Sequence, residues 1–324
     1  MIEIDGAYGE GGGQVLRTAL SLSCILGKPI RITNIRAGRK NPGLSFQHLA
    51  ACRLLAAVCG AKVKGAEIGS KSLEFVPGKI NGESFRAEIG TAGSCMLLLQ
   101  AALPVLLHAQ KECELEVTGG THVEGAPTFE YFAEVFAKAA ALFGAKFEIQ
   151  LQRAGFYPRG GGKIHLKTFP CQLKGCKVQN PGGPVKYTIV YFGPPQHIAK
   201  REEAVILKSL EAFRPSGKIE ELAADCPGNA ITLWKDFTGS CAIGKKGKRA
   251  EEVAAEACKY FEAQGSACVD PHLADQLLLY AALAEGESEF STSQATLHLL
   301  TNAYVIERMT GRNIIIEGNT IKVL

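Results

Sequence analysis

Residues 9–14 read Gly-Glu-Gly-Gly-Gly-Gln and set one carboxylate, Glu10, in a glycine run where a predicted strand gives way to a predicted helix. Backbone N–H groups at such a helix start, together with the positive end of its dipole, attract phosphate. A carboxylate beside phosphates in turn serves to hold a divalent cation. The plain alternative is a tight turn that needs positive φ. Neither Gly-x-x-x-x-Gly-Lys-Ser/Thr nor Gly-x-Gly-x-x-Gly occurs, so the common nucleotide fingerprints are missing.

A second cluster, Arg36-Ala37-Gly38-Arg39-Lys40-Asn41-Pro42-Gly43, ends at a predicted helix that carries Gln47 and His48, and Arg17 lies on the helix before it. Guanidinium forks match phosphate oxygens in bidentate geometry, so this set fits a pocket for an anionic group. A solvated basic loop is the alternative. The run Lys245-Lys246-Gly247-Lys248-Arg249 has no interleaved aromatics for base stacking and reads as a solvated face.

Seven histidines divide by context. His108, His165 and His197 sit in ordinary segments, while His122, after Gly119-Gly120-Thr121, and His272, before Asp275-Gln276, are second-rank site candidates. His298 opens the last predicted helix in Thr296-Leu297-His298-Leu299-Leu300-Thr301-Asn302. A neutral imidazole there fits a nucleophile at phosphorus or a general base, with a buried, hydrogen-bonded histidine as the alternative. No His/Cys metal pattern and no Gly-x-Ser-x-Gly elbow occurs. Cys52 and Cys59, seven apart on one helix, read as small core residues.

The elements that must position these residues come in repeats. From Glu3-Ile4-Asp5-Gly6 the pattern is β-α-β-α-β-β, with helices predicted at 15–26 and 46–58, then Gly60-Ala61-Lys62. The same order returns from Glu88-Ile89-Gly90, with helices at 95–107 and 129–143, then Gly144-Ala145-Lys146. Gly60 to Gly144 sets a period of 84 residues. A third copy, with helices at 275–284 and 297–309, ends at Gly311 and two terminal strands. Gly144 to Gly311 is 167 residues, which is one period plus 83 more. That surplus is the size of a small domain, with strands predicted at 187–192 and 230–234 and helices at 202–212 and 250–262. The expected organisation is an α/β (α+β) chain. Residues 1–175 and 268–324 form a large catalytic domain of three βαβαββ repeats (about 1–84, 85–170 and 171–324), and 176–267 form a smaller α/β domain inserted in the third.

Composition bounds the rest. The chain has 324 residues, 46% hydrophobic and 21% charged, enough to bury a core, and its 36 glycines are in excess and clustered. Disorder, collagen and coiled coil are excluded. A net charge of +4 fits a local basic site better than a long basic track. Eleven cysteines without Cys-x-x-Cys spacing and a start without a basic and apolar leader point to a reduced, cytoplasmic protein. The longest apolar stretch, 95–109, is interrupted by Gln100, Pro104 and His108 and is too short to cross a bilayer.

Several of these passages together resemble the signatures of RNA 3′-terminal phosphate cyclases. They are Asp5-Gly6-Ala7-Tyr8-Gly9-Glu10-Gly11-Gly12-Gly13-Gln14-Val15-Leu16-Arg17, Ile35-Arg36-Ala37-Gly38-Arg39, Gly90-Thr91-Ala92-Gly93-Ser94-Cys95, Gly155-Phe156-Tyr157-Pro158-Arg159-Gly160-Gly161-Gly162, Leu273-Ala274-Asp275-Gln276 and His298-Leu299-Leu300-Thr301-Asn302. The resemblance spans essentially the whole chain. It implies three βαβαββ repeats with an inserted domain, and an ATP-dependent reaction. In that reaction a histidine is adenylated, AMP passes to an RNA 3′-phosphate, and the vicinal 2′-OH closes a 2′,3′-cyclic phosphate.

By the same resemblance His298 matches the adenylated histidine and Glu10 the acidic residue near triphosphate and metal, Mg²⁺ or Mn²⁺. Gln100, Pro127, Asp275 and Gln276 match positions that hold ATP. Gln14, Arg17, Arg36, Arg39, Gln47 and His48 match the pocket for the RNA 3′-phosphate. His272 stands where some members carry an aromatic residue, and Thr128 replaces a second proline of bacterial members. The partners implied are ATP and RNA with a 3′-terminal phosphate, with no membrane and with a homo-oligomer left open. Two other functions compete: a catalytically inactive relative that binds RNA in ribosome biogenesis, and a transferase of the enolpyruvyl type built on similar repeats.

Overall fold

A helix that must reverse direction needs a left-handed residue at its end, and glycine takes that conformation without steric cost. Gly60, Gly144 and Gly311, the period markers, have φ of 61°, 86° and 76° and end the second helix of each repeat. This is the physical origin of the spacing. The computed structural model describes residues 1–324.

Repeat 1 comprises β1 (Ile2–Asp5), α1 (Gly13–Leu26), β2 (Ile30–Thr33), α2 (Phe46–Cys59), β3 (Lys62–Lys64) and β4 (Leu73–Val76). Its sheet has the order β1-β2-β4-β3, with β1 and β2 parallel and β4 antiparallel to both its neighbours. Repeat 2 comprises β5 (Ser84–Glu88), α3 (Cys95–Leu107), β6 (Cys113–Gly119), α4 (Phe129–Tyr131), α5 (Ala137–Leu142), β7 (Phe147–Arg153) and β8 (Gly162–Thr168). A π-helical turn at Phe132–Phe136 joins α4 and α5 into one rod. The sheet order β5-β6-β8-β7 repeats the first arrangement.

In the third repeat, Lys174 and Lys177 bridge in parallel to Glu285 and Glu289 where the other repeats have a full first strand. The inserted segment follows, and the repeat resumes at α8 (Pro271–Leu283), β13 (Ser288–Ser291), α9 (Leu297–Thr310), β14 (Ile314–Glu317) and β15 (Thr320–Val323). The mixed α/β class expected from the sequence is the class observed.

The inserted segment contains β9 (Lys186–Phe192), α6 (Gln196–Ser209), β10 (Ser216–Glu221), β11 (Gly228–Lys235), β12 (Thr238–Ile243) and α7 (Ala250–Glu262), with sheet order β10-β9-β11-β12. The sequence reading missed β10 and β12 and began α6 six residues late. Ser216–Glu221 is mostly polar, and Thr238–Ile243 is short and rich in small residues, so neither carries a clear period-2 pattern. Residues from Val185 to Phe261 bury a core of their own, while Trp234 and Phe237 belong to the main core and anchor the segment to it.

In the first two repeats the strands alternate buried and open positions, as in β8, where Gly162, Ile164, Leu166 and Thr168 are buried, so these sheets pack one face on helices and leave the other open. In the inserted sheet β9 and β11 bury consecutive residues and are covered on both faces. Helix α3 is buried at 11 of its 13 residues, which places it at the centre between α1 and α2. Cys52 and Cys59 are fully buried core residues. Among the basic run of the insert, Lys248 pairs with Glu256 and Arg249 with Glu251 within the insert, while Lys245 reaches Glu124 of the second repeat. No helix is long and apolar enough to cross a membrane.

Candidate functional site

The first helices of the three repeats, α1, α3 and α8, and the start of α9 converge on one cleft of about 860 Å³. The twelve side chains that the resemblance matches to catalytic, nucleotide, metal and RNA-phosphate positions all line it. Repeat 1 contributes Glu10, Gln14, Arg17, Arg36, Arg39, Gln47 and His48, repeat 2 contributes Gln100 and Pro127, and repeat 3 contributes Asp275, Gln276 and His298. The inserted segment closes one wall with Gly239, Ser240, Cys241, Tyr260 and Gln264. The volume is that of a small-molecule site.

His298 sits in the first turn of α9, whose N-cap Thr296 accepts the Leu299 N–H. Its Nδ1 lies 2.6 Å from Oε2 of Glu10, and the other Glu10 oxygen is in contact with Arg39. Neither Nδ1 nor Oε2 has a well-aligned hydrogen-bond partner, so this is a close contact with capacity to spare. Burial holds the imidazole pKa below its ordinary value, and the nearby His272, Arg39 and Arg17 lower it further. A neutral ring with Nδ1 turned to a carboxylate leaves Nε2 as its free lone pair.

Three arginines and a histidine form the neighbouring pocket. Arg17 is held to about 10 by burial, an effect that Asp275 partly offsets. Arg36 donates from Nη1 to the Gly43 carbonyl at 2.7 Å and takes a left-handed φ of 55°. His48 is anchored by a 2.6 Å hydrogen bond between Nδ1 and Ser45 Oγ. Burial, then Arg17, Arg36 and Arg39, push its pKa down to about 3, so it is neutral and the pocket's charge comes from the guanidinium groups. A Cβ on Gly13 would run into His48 Nε2, so only glycine lets that ring approach the α1 N-terminus. Gln47 Oε1 accepts the Ser94 N–H at 2.7 Å and ties this pocket to the start of α3.

Beside Gln14 and Arg17, Asp275 is buried and its pKa is raised to about 7 by desolvation, against the pull of His272, Gln14 and Arg17. Gln276 Oε1 is buried without a partner, a free acceptor facing the cleft. Two further residues hold this wall: Asp270, which no motif in the sequence marks as part of the site, and Asn302 of the His298 motif. Asp270, fully buried, caps α8 through the His272 and Leu273 N–H groups. It also accepts from the Tyr131 hydroxyl and the Gly239 N–H, joining α8, repeat 2 and the insert. The pair Asp270-Pro271, an N-cap acceptor before an N1 proline, was the available signal. Asn302 accepts from Thr18 Oγ1 at 2.6 Å and donates to the Asp275 carbonyl at 2.6 Å, locking α1, α8 and α9 together.

Of the second-rank histidines, His272 lines the cleft. His122 does not: it is buried between Thr121 Oγ1 at 2.8 Å and the Glu130 carboxylate at 2.9 Å. No group of three or more His, Cys, Asp or Glu side chains could hold a metal unaided. The unpartnered Oε2 of Glu10 fits a divalent cation that shares its coordination with substrate phosphates, as Mg²⁺ commonly does.

A sequence profile for RNA 3′-terminal phosphate cyclase matches residues 8–316. The chain belongs to that family. It is 42% identical to an RNA 3′-terminal phosphate cyclase of Archaeoglobus fulgidus over 325 residues, covering 99% of each chain. A protein of the same name from Salmonella typhimurium is 43% identical over 322 residues, 95% of this chain and 93% of the other. One from Pyrobaculum neutrophilum is 41% identical, covering 95% and 92%. Among solved structures, the enolpyruvyl transferase NikO from Streptomyces tendae aligns with a TM-score of 0.44 at 12% identity, covering 99% of this chain and 47% of that one.

Proposed function

We propose that the protein uses ATP to convert an RNA 3′-terminal phosphate into a 2′,3′-cyclic phosphodiester, through covalent histidyl-AMP and RNA(3′)pp(5′)A intermediates. The observation that carries this reading is the contact of His298 Nδ1 with Glu10 Oε2 beside the arginine pocket. Membership of the family supports the overall reaction.

In this reading Gln100, Pro127, Asp275 and Gln276 hold the nucleotide, and His298 Nε2 attacks its α-phosphorus. The N–P bond forms as the P–O bond to pyrophosphate breaks. A low imidazole pKa keeps the lone pair available, and Glu10 orients the ring through Nδ1. Bound at Glu10, Mg²⁺ or Mn²⁺ would supply charge neutralisation for the departing pyrophosphate.

Arg17, Arg36 and Arg39, with Gln14, Gln47 and His48, bind the RNA 3′-phosphate beside the adenylated ring. An oxygen of that phosphate attacks the AMP phosphorus and the N–P bond breaks, returning neutral His298. The 2′-hydroxyl then attacks the terminal phosphorus, loses its proton and expels AMP. The guanidinium groups offset the charge that builds on the phosphoryl oxygens in both steps.

Incubation with ATP labelled at the α-phosphate and Mg²⁺ or Mn²⁺, followed by denaturing electrophoresis, tests the reading. The expected result is an acid-labile, alkali-stable adduct on the wild type and none on His298→Ala. Absence of label on the wild type, or retention on His298→Ala, overturns it.

A further inference from the structure

The loop before α1 carries almost no stiffness of its own. From Gly6 to Gly13 it contains five glycines and a single ring, Tyr8, and Gly9 and Gly11 hold φ of 60° and 58°. Yet it must deliver the Glu10 carboxylate to one nitrogen of His298. Three consecutive loop residues meet three positions on one face of α9. Tyr8 stacks on Tyr304, with ring centroids 3.7 Å apart and planes inclined by 16°. Gly9 lies so close to Thr301 Oγ1 that no Cβ would fit, and the Glu10 N–H donates to the same hydroxyl at 3.2 Å. Glu10 Oε2 then reaches His298 Nδ1. Residues 298, 301 and 304 recur at the spacing of successive helical turns, so loop and helix run antiparallel along one line.

The two ends of this line differ. Thr301 donates its own proton to the Leu297 carbonyl at 2.6 Å, which fixes its oxygen as the acceptor for the loop. Tyr304 packs against the main core, whereas Tyr8 is 45% exposed and lies over it. The stack is thus an anchored ring holding an exposed one, placed at the outer end of the glycine loop.

We propose that Tyr8 and Tyr304 are positioning residues: their stack is the outer end of a clasp that sets the Glu10 carboxylate against His298. The inference rests on the roles proposed above for Glu10 and His298. Tyr8 and Tyr304 touch no reacting atom; they act through the loop.

Two measurements on the full chain test it. The first is hydrogen exchange of the Glu10 amide in the ATP-free protein, and the second is the rate of label transfer from ATP in a single turnover. Tyr8→Ala removes the exposed ring without opening the core. An aromatic pair of this kind corresponds to about a tenfold effect, so Tyr8→Ala should speed Glu10 exchange and slow labelling by about tenfold, with the KM for ATP unchanged. Tyr8→Phe, which keeps the stack, should match the wild type in both. Unchanged exchange in Tyr8→Ala overturns the clasp. So does faster exchange with normal labelling, or a Tyr8→Phe variant as slow as Tyr8→Ala. A wild type that takes no label refutes the role of His298 and leaves the exchange result to decide the clasp by itself.

Discussion

Oε2 of Glu10 stands 2.6 Å from Nδ1 of His298, although one residue lies near the start of the chain and the other near its end. The contact joins the first repeat to the third. It also sets Nδ1 against a carboxylate and leaves Nε2 as the free nitrogen of the ring, which in the proposed reaction is the nucleophile.

The proposed self-adenylation requires a neutral imidazole, and burial together with His272, Arg39 and Arg17 holds the His298 pKa below its ordinary value. A lowered pKa keeps the ring deprotonated as pH falls, so the acid limb of the single-turnover labelling rate should have its midpoint below about 6.5. The profile is measured at saturating ATP and metal. A midpoint above the ordinary histidine value would contradict the electrostatic account of this site.

Arg36 and Arg39 should separate the two halves of the reaction. Arg39 contacts Glu10 as well as the phosphate pocket, whereas Arg36 binds only the Gly43 carbonyl and the pocket. Arg36→Ala should therefore slow transfer of AMP to a 3′-phosphorylated RNA by roughly 10²-fold while leaving self-adenylation near normal. Arg39→Ala should slow both steps. Labelling of protein and of RNA, followed separately, reads this, and equal loss of both steps in Arg36→Ala would remove it from the RNA pocket.

Glu202 offers a test of stability apart from catalysis. It is fully buried in the inserted segment, accepts from Asn229 Nδ2 at 2.5 Å through one oxygen, and leaves the other without a partner. Burial raises its pKa from 4.5 to about 7, with Glu251 adding to the rise and Asn229 opposing it. Between those values the native state binds more protons than the unfolded chain. Its contribution is therefore present in full below pH 4.5 and is lost as pH rises through about 7. Glu202→Gln should raise the melting temperature at pH 8 and have little effect at pH 5. Calorimetry at both values checks it, and a lower melting temperature at pH 8 would refute this account.

Much of the fold was legible because its signals are local. A glycine that ends a helix in the left-handed region is encoded at one position, and Gly60, Gly144 and Gly311 therefore exposed the period and the surplus between the last two. Ten of the twelve cleft residues lie in motifs or clusters whose members are within a few residues of one another, whereas Gln100 and Pro127 are implied by the family resemblance alone. Strands β10 and β12 escaped because their side chains carry no alternation strong enough to mark a face. Asp270 was missed although Asp-Pro is a helix-start signal, since its importance comes from Tyr131 and Gly239, which reach it from elsewhere in the chain.

The residue types, the repeat period and the glycine-rich and basic character of the loops were determined by the amino-acid sequence alone. Helix capping, glycine conformation and hydrophobic period act over a few residues and need no partner. Only the tertiary structure decided that Glu10 faces His298 Nδ1, that Tyr8 lies on Tyr304, and that Tyr260 and Gly239 wall the cleft. Those relations depend on α1, α8 and α9 packing through buried contacts: Asn302–Asp275 joins the two helices of the third repeat, and Thr18–Asn302 closes only when that repeat docks on the first.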